Sequence, residues 1–276
     1  MQIKEVKLDK LTVMGDMPKV FETSFQLLLD HTPHASIIGS RTSYVTGQFY
    51  VQNENSIYFE YDGLLSSAMN RRNFKLEFNP SKIDENQKEF IRTQIIPFLL
   101  DVSFSRLDIS VDVDEKLSDY QFEIFGRTRT YIHSRDGELA TFYIGSRQSK
   151  NMIRVYDKKK QLLEVEEKEI SEEVLWRLEF ELKGRHFIDF LMKEGFDSLV
   201  GFRMIRYDFS DLSAIDKILC KSFYLLSDDF SDLSKKKRWD IRKKLKECDG
   251  EDISPIFKSA LKEKNSLILG ELESYL

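Results

Sequence analysis

The sequence predicts an α+β fold in two similar rounds of strands and helices, followed by C-terminal helices. Three observations carry this. Segments such as Leu107–Val113 and Trp176–Leu182 alternate apolar and polar residues with the two-residue period of a half-buried strand. The order strand, helix, hairpin, strand occurs twice, and a helix closes each round. After about Asp211 the alternation gives way to helical spacing with charged faces. The chain has 276 residues, enough for one large domain with a smaller partner. The change of character divides it into residues 1–211 and 212–276.

Leu11–Met14 reads as a short strand. Lys19–Asp30 brings Val20, Phe21, Phe25, Leu28 and Leu29 together at helical spacing, and His31–Ser40 reads as a loop. Ser43–Val51 and Ser56–Tyr61 form a hairpin around Gln52-Asn-Glu-Asn55. Asn73–Phe78 is a strand stopped by Asn79-Pro80. Ser81 is placed to cap a helix from Lys82 to about Phe90, extending toward Leu100 with a kink at Pro97.

The second round opens with the strand Phe104–Val113 and a short helix at Ser118–Phe125. Arg127–Ser134 and Glu138–Ile144 flank Arg135-Asp-Gly137, a hairpin signal. Met152–Asp157 is a strand ending in three lysines, and Gln161–Glu173 is a charged linker or surface helix. Trp176–Leu182 is a strand and Arg185–Lys193 a helix. The two rounds share topology without a clear sequence repeat.

Composition bounds the function. Hydrophobic residues make up 41% and aromatics 12%, enough for a substantial core. No apolar run reaches the roughly 20 residues that span a bilayer, and the first residues lack an apolar signal core, so the expected location is the cytoplasm. Cys220 and Cys248 have no metal-type spacing, and the four histidines form no paired ligand motif, which argues against zinc. The net charge of −5 argues against blanket nucleic-acid affinity, but the basic residues are clustered.

Alternation gathers the candidate site. Asp108, Ser110 and Asp112 share one face of their strand; Arg177, Glu179, Glu181 and Lys183 share one face of theirs; Lys75 and Glu77 do so on a third. Acids on one face of an antiparallel sheet are either solvated or gathered around a hard divalent cation, and Arg177 or Lys183 would offset them without a metal. Arg154 and Tyr156 share a face, with Lys158, Lys159 and Lys160 at the strand end. Cations there lower a phenol pKa and bind phosphate, and tyrosine is a competent nucleophile. Between Lys235 and Lys246 lie eight basic residues, Lys235, Lys236, Lys237, Arg238, Arg242, Lys243, Lys244 and Lys246, against Asp240. Asp228, Asp229, Ser231 and Asp232 are placed to cap this helix. It reads as a solvated face or as a DNA-contacting helix.

These stretches, in this order over roughly residues 50–265, carry a resemblance: Arg71-Arg-Asn-Phe-Lys-Leu-Glu-Phe-Asn-Pro80, Phe104-Ser-Arg-Leu-Asp-Ile-Ser-Val-Asp112, Leu117-Ser-Asp-Tyr120, Tyr143-Ile-Gly-Ser-Arg147, Ile153-Arg-Val-Tyr-Asp-Lys-Lys159 and Leu175-Trp-Arg-Leu-Glu-Phe-Glu-Leu-Lys183. The chain resembles the trans-acting rolling-circle replication initiators (Rep) of small plasmids from Gram-positive bacteria, a superfamily that includes relaxases of integrative conjugative elements. The resemblance implies a nicking-nuclease or relaxase-like fold: a broad antiparallel sheet of two similar halves with helices on one face. It implies a homodimer that binds the plasmid double-strand origin, an inverted repeat extruded as a cruciform. A tyrosine nicks the single-stranded loop, leaving a 5′-phosphotyrosine and a free 3′-OH for host helicase and DNA polymerase, and the ends are later rejoined.

Tyr156 maps onto that nucleophile. Asp108 and Glu179 map onto a Mg²⁺ or Mn²⁺ site, with Asp112 and Glu77 as further candidates. Arg154, Lys158, Lys159 and Arg177 are the implied DNA-backbone contacts. The origin-discriminating segment falls at about Lys236–Ile241, inside the basic run of Lys235, Lys236, Lys237, Arg238 and Arg242. A conjugative relaxase, or an origin-binding protein without nicking activity, is the alternative.

Overall fold

A computed structural model describes residues 1–32, 35–41, 44–50, 57–64, 72–124, 126–223 and 229–276. The first round runs β1 (Ile3–Asp16), α1 (Glu22–His31), β2 (Ser36–Arg41), β3 (Tyr44–Phe49), β4 (Ile57–Asp62), β5 (Phe74–Phe78) and α2 (Glu85–Phe90). The second runs β6 (Leu100–Val113), β7 (Gln121–Glu123), β8 (Arg129–His133), β9 (Leu139–Ile144), β10 (Asn151–Asp157), α3 (Lys158–Val165), β11 (Trp176–Lys183) and α4 (Arg185–Glu194). Then come β12 (Arg203–Tyr207), α5 (Ala214–Ser222), α6 (Lys235–Glu247), β13 (Gly250–Asp252) and α7 (Ser254–Glu273).

Ten strands form one sheet in the order β2-β3-β4-β5-β1-β6-β11-β10-β9-β8, and every pairing is antiparallel. The order makes the two halves visible. β1 and β6 pair at the centre, and outward from each come the last strand of its round and then a three-stranded meander. β7, β12 and β13 form a small second sheet.

The alternation read from the sequence decides which face is which. Leu107, Ile109, Val111 and Val113 are fully buried on one face of β6, with Leu178, Phe180 and Leu182 beside them on β11. The helices cover this face. Phe25 of α1 packs edge-on against Phe59 and Phe74, with ring centroids 5.4 and 5.3 Å away. Ile188 and Leu191 of α4, and Phe257, Leu261, Ile268 and Leu272 of α7, join the same core. A smaller cluster, Phe209, Cys220, Phe223, Phe230, Ile241 and Leu245, holds α5 and α6 together. Because α7 belongs to the larger core, the division proposed at residue 211 is sharpest for α5 and α6. Both cysteines are free thiols, and no helix among the described residues is long and apolar enough to cross a membrane.

Several local expectations are corrected. β1 is far longer than Leu11–Met14, because register shifts between Ile3 and Glu5 and between Leu8 and Lys10 break the alternation that marks a strand. The expected loop at His31–Ser40 contains β2, an edge strand that pairs, among the described residues, with β3 alone. The turn Gln52-Asn-Glu-Asn55 lies outside the described residues. Asp84, not Ser81, caps α2: its carboxylate accepts from the Gln87 amide at 2.8 Å, and the Gln87 side chain accepts from the Asp84 amide at 3.0 Å. Beyond α2 the chain continues as a π-helix, Ile91–Ile95, and a 3₁₀ turn containing Pro97. The helix expected at Ser118–Phe125 is a 3₁₀ turn followed by β7, which pairs with β12. The strand ends at Asp157 as expected, and the three lysines that follow enter a helix that was not expected before Gln161. They form the first turn of α3, whose cap is Asp157, accepting from the Lys160 amide at 2.9 Å.

Candidate active site

The face opposite the helices carries every acid singled out above, yet it is not a solvated face. Asp108, Ser110, Asp112, Arg177 and Glu179 are all buried. Their strands, β6 and β11, lie in the middle of the sheet, where neighbours on both sides crowd the same surface. Charges so placed need partners.

Most have them. Arg177 lies opposite Asp112 and grips it with two hydrogen bonds, 2.5 and 2.7 Å, while its third nitrogen donates to Asp9 at 2.6 Å. Asp9 occupies the register shift between Leu8 and Lys10, and a bulge of this kind re-aims a side chain. Arg106 donates to both oxygens of Asp108, at 2.9 and 2.6 Å, and to Glu181 at 2.8 Å. Glu77 takes Lys10 at 2.6 Å, Lys75 at 3.7 Å and a hydrogen bond from Thr12 at 3.2 Å; the two lysines and this bond hold its carboxyl below the usual range despite partial burial.

Glu179 is the exception. The nearest cation is Arg154, at 3.9 Å. Burial, followed by the charge of Asp108, pushes its carboxyl up to about 7. Asp108 is also raised, by burial that Arg106 only partly offsets. Between them Ser110, paired with Glu179 across the strands, buries a hydroxyl with no hydrogen-bond partner among the described residues.

Tyr156 faces this pair from β10. Its hydroxyl lies 3.5 Å from Glu179, and the Arg154 guanidinium sits 4.2 Å from its ring centroid. The sequence expectation was a phenol acidified by nearby cations. Here burial, with only 5% of the residue exposed, outweighs Arg177 and Arg154 and holds the phenol well above its ordinary value.

The structure separates the expected DNA contacts. Arg177 is buried and committed to two carboxylates, so a phosphate would have to break those bonds first. Lys158 is half-buried, hydrogen-bonded to Gln161 at 2.5 Å, and lowered by burial and by Arg177. Lys159 donates to the Glu173 carbonyl at 3.2 Å. Arg154 is a part-exposed cation beside the tyrosine: its side chain is 35% exposed, while its Nε is buried and has no hydrogen-bond partner among the described residues. Sequence reading missed Arg106 and Asp9. Arg106 was findable, two residues before Asp108 on the same strand; Asp9 was hidden by the bulge.

No group of three His, Cys, Asp or Glu residues gathers among the described residues. A hard divalent cation needs only one or two carboxylates when water and substrate phosphate complete its shell. Glu179 fits that need, since it is under-compensated next to an orphaned hydroxyl, and Asp108 lies on the same face with its carboxyl raised by burial although Arg106 holds both its oxygens. Glu77, lowered by its lysines, and Asp112, gripped by Arg177, do not.

α6 is a second candidate surface. Ser234, not the preceding aspartates, caps it, accepting from the Lys237 amide at 3.2 Å; Asp228 lies outside the described residues. Ile241 and Leu245 face inward, while Lys235, Lys236, Arg242, Lys243 and Lys246 are exposed. Arg238 and Lys237 are half-buried at the flank.

Comparison with known proteins adds the following. A family model described as "Replication initiation protein, N-terminal" matches residues 10–99, and one described as "Replication initiation factor" matches residues 112–244. A replication initiation protein of Staphylococcus aureus is 26% identical over 273 residues, covering 98% of this chain and 85% of its own length. Another from the same organism is 29% identical over 225 residues, covering 80% and 69%. Among solved structures, a rolling circle replication initiator protein from Geobacillus stearothermophilus aligns at TM-score 0.47 and 15% identity, covering 76% of this chain and 89% of that one.

Proposed function

We propose that this chain, which belongs to the replication initiation proteins, acts by the rolling-circle route: it nicks one strand of a plasmid double-strand origin through Tyr156 and rejoins the ends when the round is complete. The observation that carries this reading is the grouping of Tyr156, Glu179 and Arg154 on one buried polar face, within the matched segment.

In this mechanism Arg154, stacked on the Tyr156 ring, offers its part-exposed guanidinium to the scissile phosphate and stabilises the developing charge. Glu179 is the nearest acceptor for the phenol proton, and without a bound cation its raised carboxyl is matched to proton exchange near neutrality. The Tyr156 oxygen bonds to phosphorus, the P–O3′ bond breaks, and the leaving 3′ oxygen takes up a proton. The phosphodiester energy stays in the 5′-phosphotyrosine, so the reverse attack reseals the strand. Mg²⁺ or Mn²⁺ held by Asp108 and Glu179 would polarise the phosphate. Asp112, Arg177 and Glu77 shape the site without touching DNA. A homodimer on an inverted-repeat origin, with host helicase and polymerase taking over the free 3′-OH, completes the proposal. α6 supplies phosphate contacts through Lys235, Lys236 and Arg242, flanked by Lys237 and Arg238.

The burial of Tyr156 favours one rival, an origin-binding protein that does not cut. A cleavage assay on the supercoiled parent plasmid with Mg²⁺ or Mn²⁺ separates them. The wild type should yield nicked circles and a covalent protein–DNA adduct, and Tyr156→Phe neither. An adduct from Tyr156→Phe would falsify the choice of nucleophile, and absence of nicking by the wild type would favour the rival.

A further inference from the structure

Trp239 is 60% exposed in the middle of α6, whereas the other tryptophan, Trp176, is 3% exposed. Leaving an indole in water forgoes one of the largest burial gains a side chain offers. Its surroundings restrict what covers it. Lys235, Trp239, Arg242, Lys243 and Lys246 recur at intervals of three or four residues and share one exposed face. Lys243 lies 5.6 Å from the indole centroid. The acids of this region are few: half-buried Asp240 follows Trp239 along the helix, Glu247 at the helix end lies 3.7 Å from Lys243, and Asp216 on α5 holds Lys244. An apolar protein partner would have to desolvate four cations around one ring. A strand of nucleic acid offers phosphates to the cations and a base face to the ring. At 1.5 Å per residue the face from Lys235 to Lys246 is about 16 Å long, room for two or three nucleotides of extended backbone.

Resting on the reading of α6 as a DNA-contacting helix, we propose that Trp239 stacks on an unpaired base, so that α6 binds locally opened DNA in preference to plain duplex. The indole has a single N–H with which to read a base-pair edge, but a wide π-face. Stacking needs a base out of the helix, and it is indifferent to which base that is.

The two tryptophans make the test direct. The full-length protein is titrated at low salt with a twenty-nucleotide oligothymidylate and, separately, with a hairpin duplex of the same length. Oligothymidylate should quench the exposed, iodide-accessible emission of Trp239 and leave that of Trp176 unchanged. Trp239→Ala should lose roughly 5- to 150-fold in oligothymidylate affinity and little in duplex affinity, and Trp239→Phe should recover part of the loss. Thermal melts should match the wild type, since the ring packs on little. Two results overturn the proposal while leaving α6 a DNA-binding helix: unquenched emission with tight binding, or equal losses on both probes. Trp239→Ala changing oligomeric state with DNA affinity intact assigns the indole to a protein interface instead. Failure of both DNAs to bind the wild type, or unchanged affinity for both in Arg242→Gln, overturns the reading of α6 itself.

Discussion

Replacing Arg177 tests whether the polar face is held by ion pairs or kept open for DNA. Arg177→Met removes three hydrogen bonds, two to Asp112 and one to Asp9, and leaves both carboxylates without that cation on a buried surface. Breaking a buried pair on one side costs about 3–5 kcal/mol. Against the roughly 5–15 kcal/mol that holds a domain together, that is a large fraction. At about 2–4 °C per kcal/mol the melting temperature should fall by roughly 6–20 °C. Asp112→Leu should be similarly damaging, because Arg177 then keeps only Asp9. The double variant Arg177→Met/Asp112→Leu restores an uncharged pair and should recover most of the loss, so the coupling between the two sites should be at least about 3 kcal/mol. Thermal and urea melts of the four proteins measure it. If Arg177→Met melts like the wild type but loses DNA affinity, the arginine is a DNA contact and the ion-pair account is wrong.

Glu179 predicts a pH dependence. Its carboxyl, ordinarily at 4.5, stands at about 7 in the folded chain. The folded state therefore binds a proton that the unfolded state lacks between those values, and this contribution is full below the lower value and lost as pH rises through the higher one. In chelator, the wild type should lose about 3 kcal/mol between about pH 5 and about pH 8 that Glu179→Gln does not; parallel profiles for the two would rule the assignment out. For α6, converting Lys235, Lys236 and Lys246 to Gln should reduce the slope of log affinity against log salt by about 0.9 per phosphate contact removed, and an unchanged slope would place the DNA elsewhere.

How much of this was legible in the sequence depended on whether a strand kept its period. β10, β11 and the Leu107–Val113 part of β6 alternate without interruption, so their core and polar faces were assigned correctly residue by residue, whereas the start of β6 shifts register between Phe104 and Arg106. β1 shares that polar face but breaks period at its bulges, so most of it went unread, and with it Asp9. Alternation reports direction and says nothing of distance from solvent. The acids were therefore visible as a set, but their burial was not, because burial comes from placing β6 and β11 at the centre of a ten-stranded sheet. For the same reason the tyrosine's environment was misjudged: the cations were in the sequence, and the desolvation that outweighs them was not.

The duplicated topology supplies an internal control for the site. Glu77 on β5 and Glu179 on β11 occupy matching places, each on the strand beside a central one and each opposite a hydroxyl, Thr12 in one half and Ser110 in the other. The next strands outward continue the match: Tyr58 faces Glu77 and Glu60 faces Lys75 on one side; Arg154 faces Glu179 and Tyr156 faces Arg177 on the other. In the first half the acids are balanced. Lys75 holds Glu60 at 3.0 Å, Lys10 holds Glu77 at 2.6 Å, and both carboxyls are lowered. In the second half a tyrosine stands where Glu60 stands in the first, the nearest cation to Glu179 is farther away, and Glu179 is raised. One frame thus holds a neutralised acid and a reactive one. The same substitution should then have opposite effects. At neutral pH, Glu77→Gln removes a paired, partly exposed carboxylate and should destabilise by on the order of 1 kcal/mol. Glu179→Gln removes an under-compensated one and should stabilise the metal-free protein. If both variants destabilise alike, the second half stores no excess charge, and the case for a cation or a proton acceptor at Glu179 fails with it.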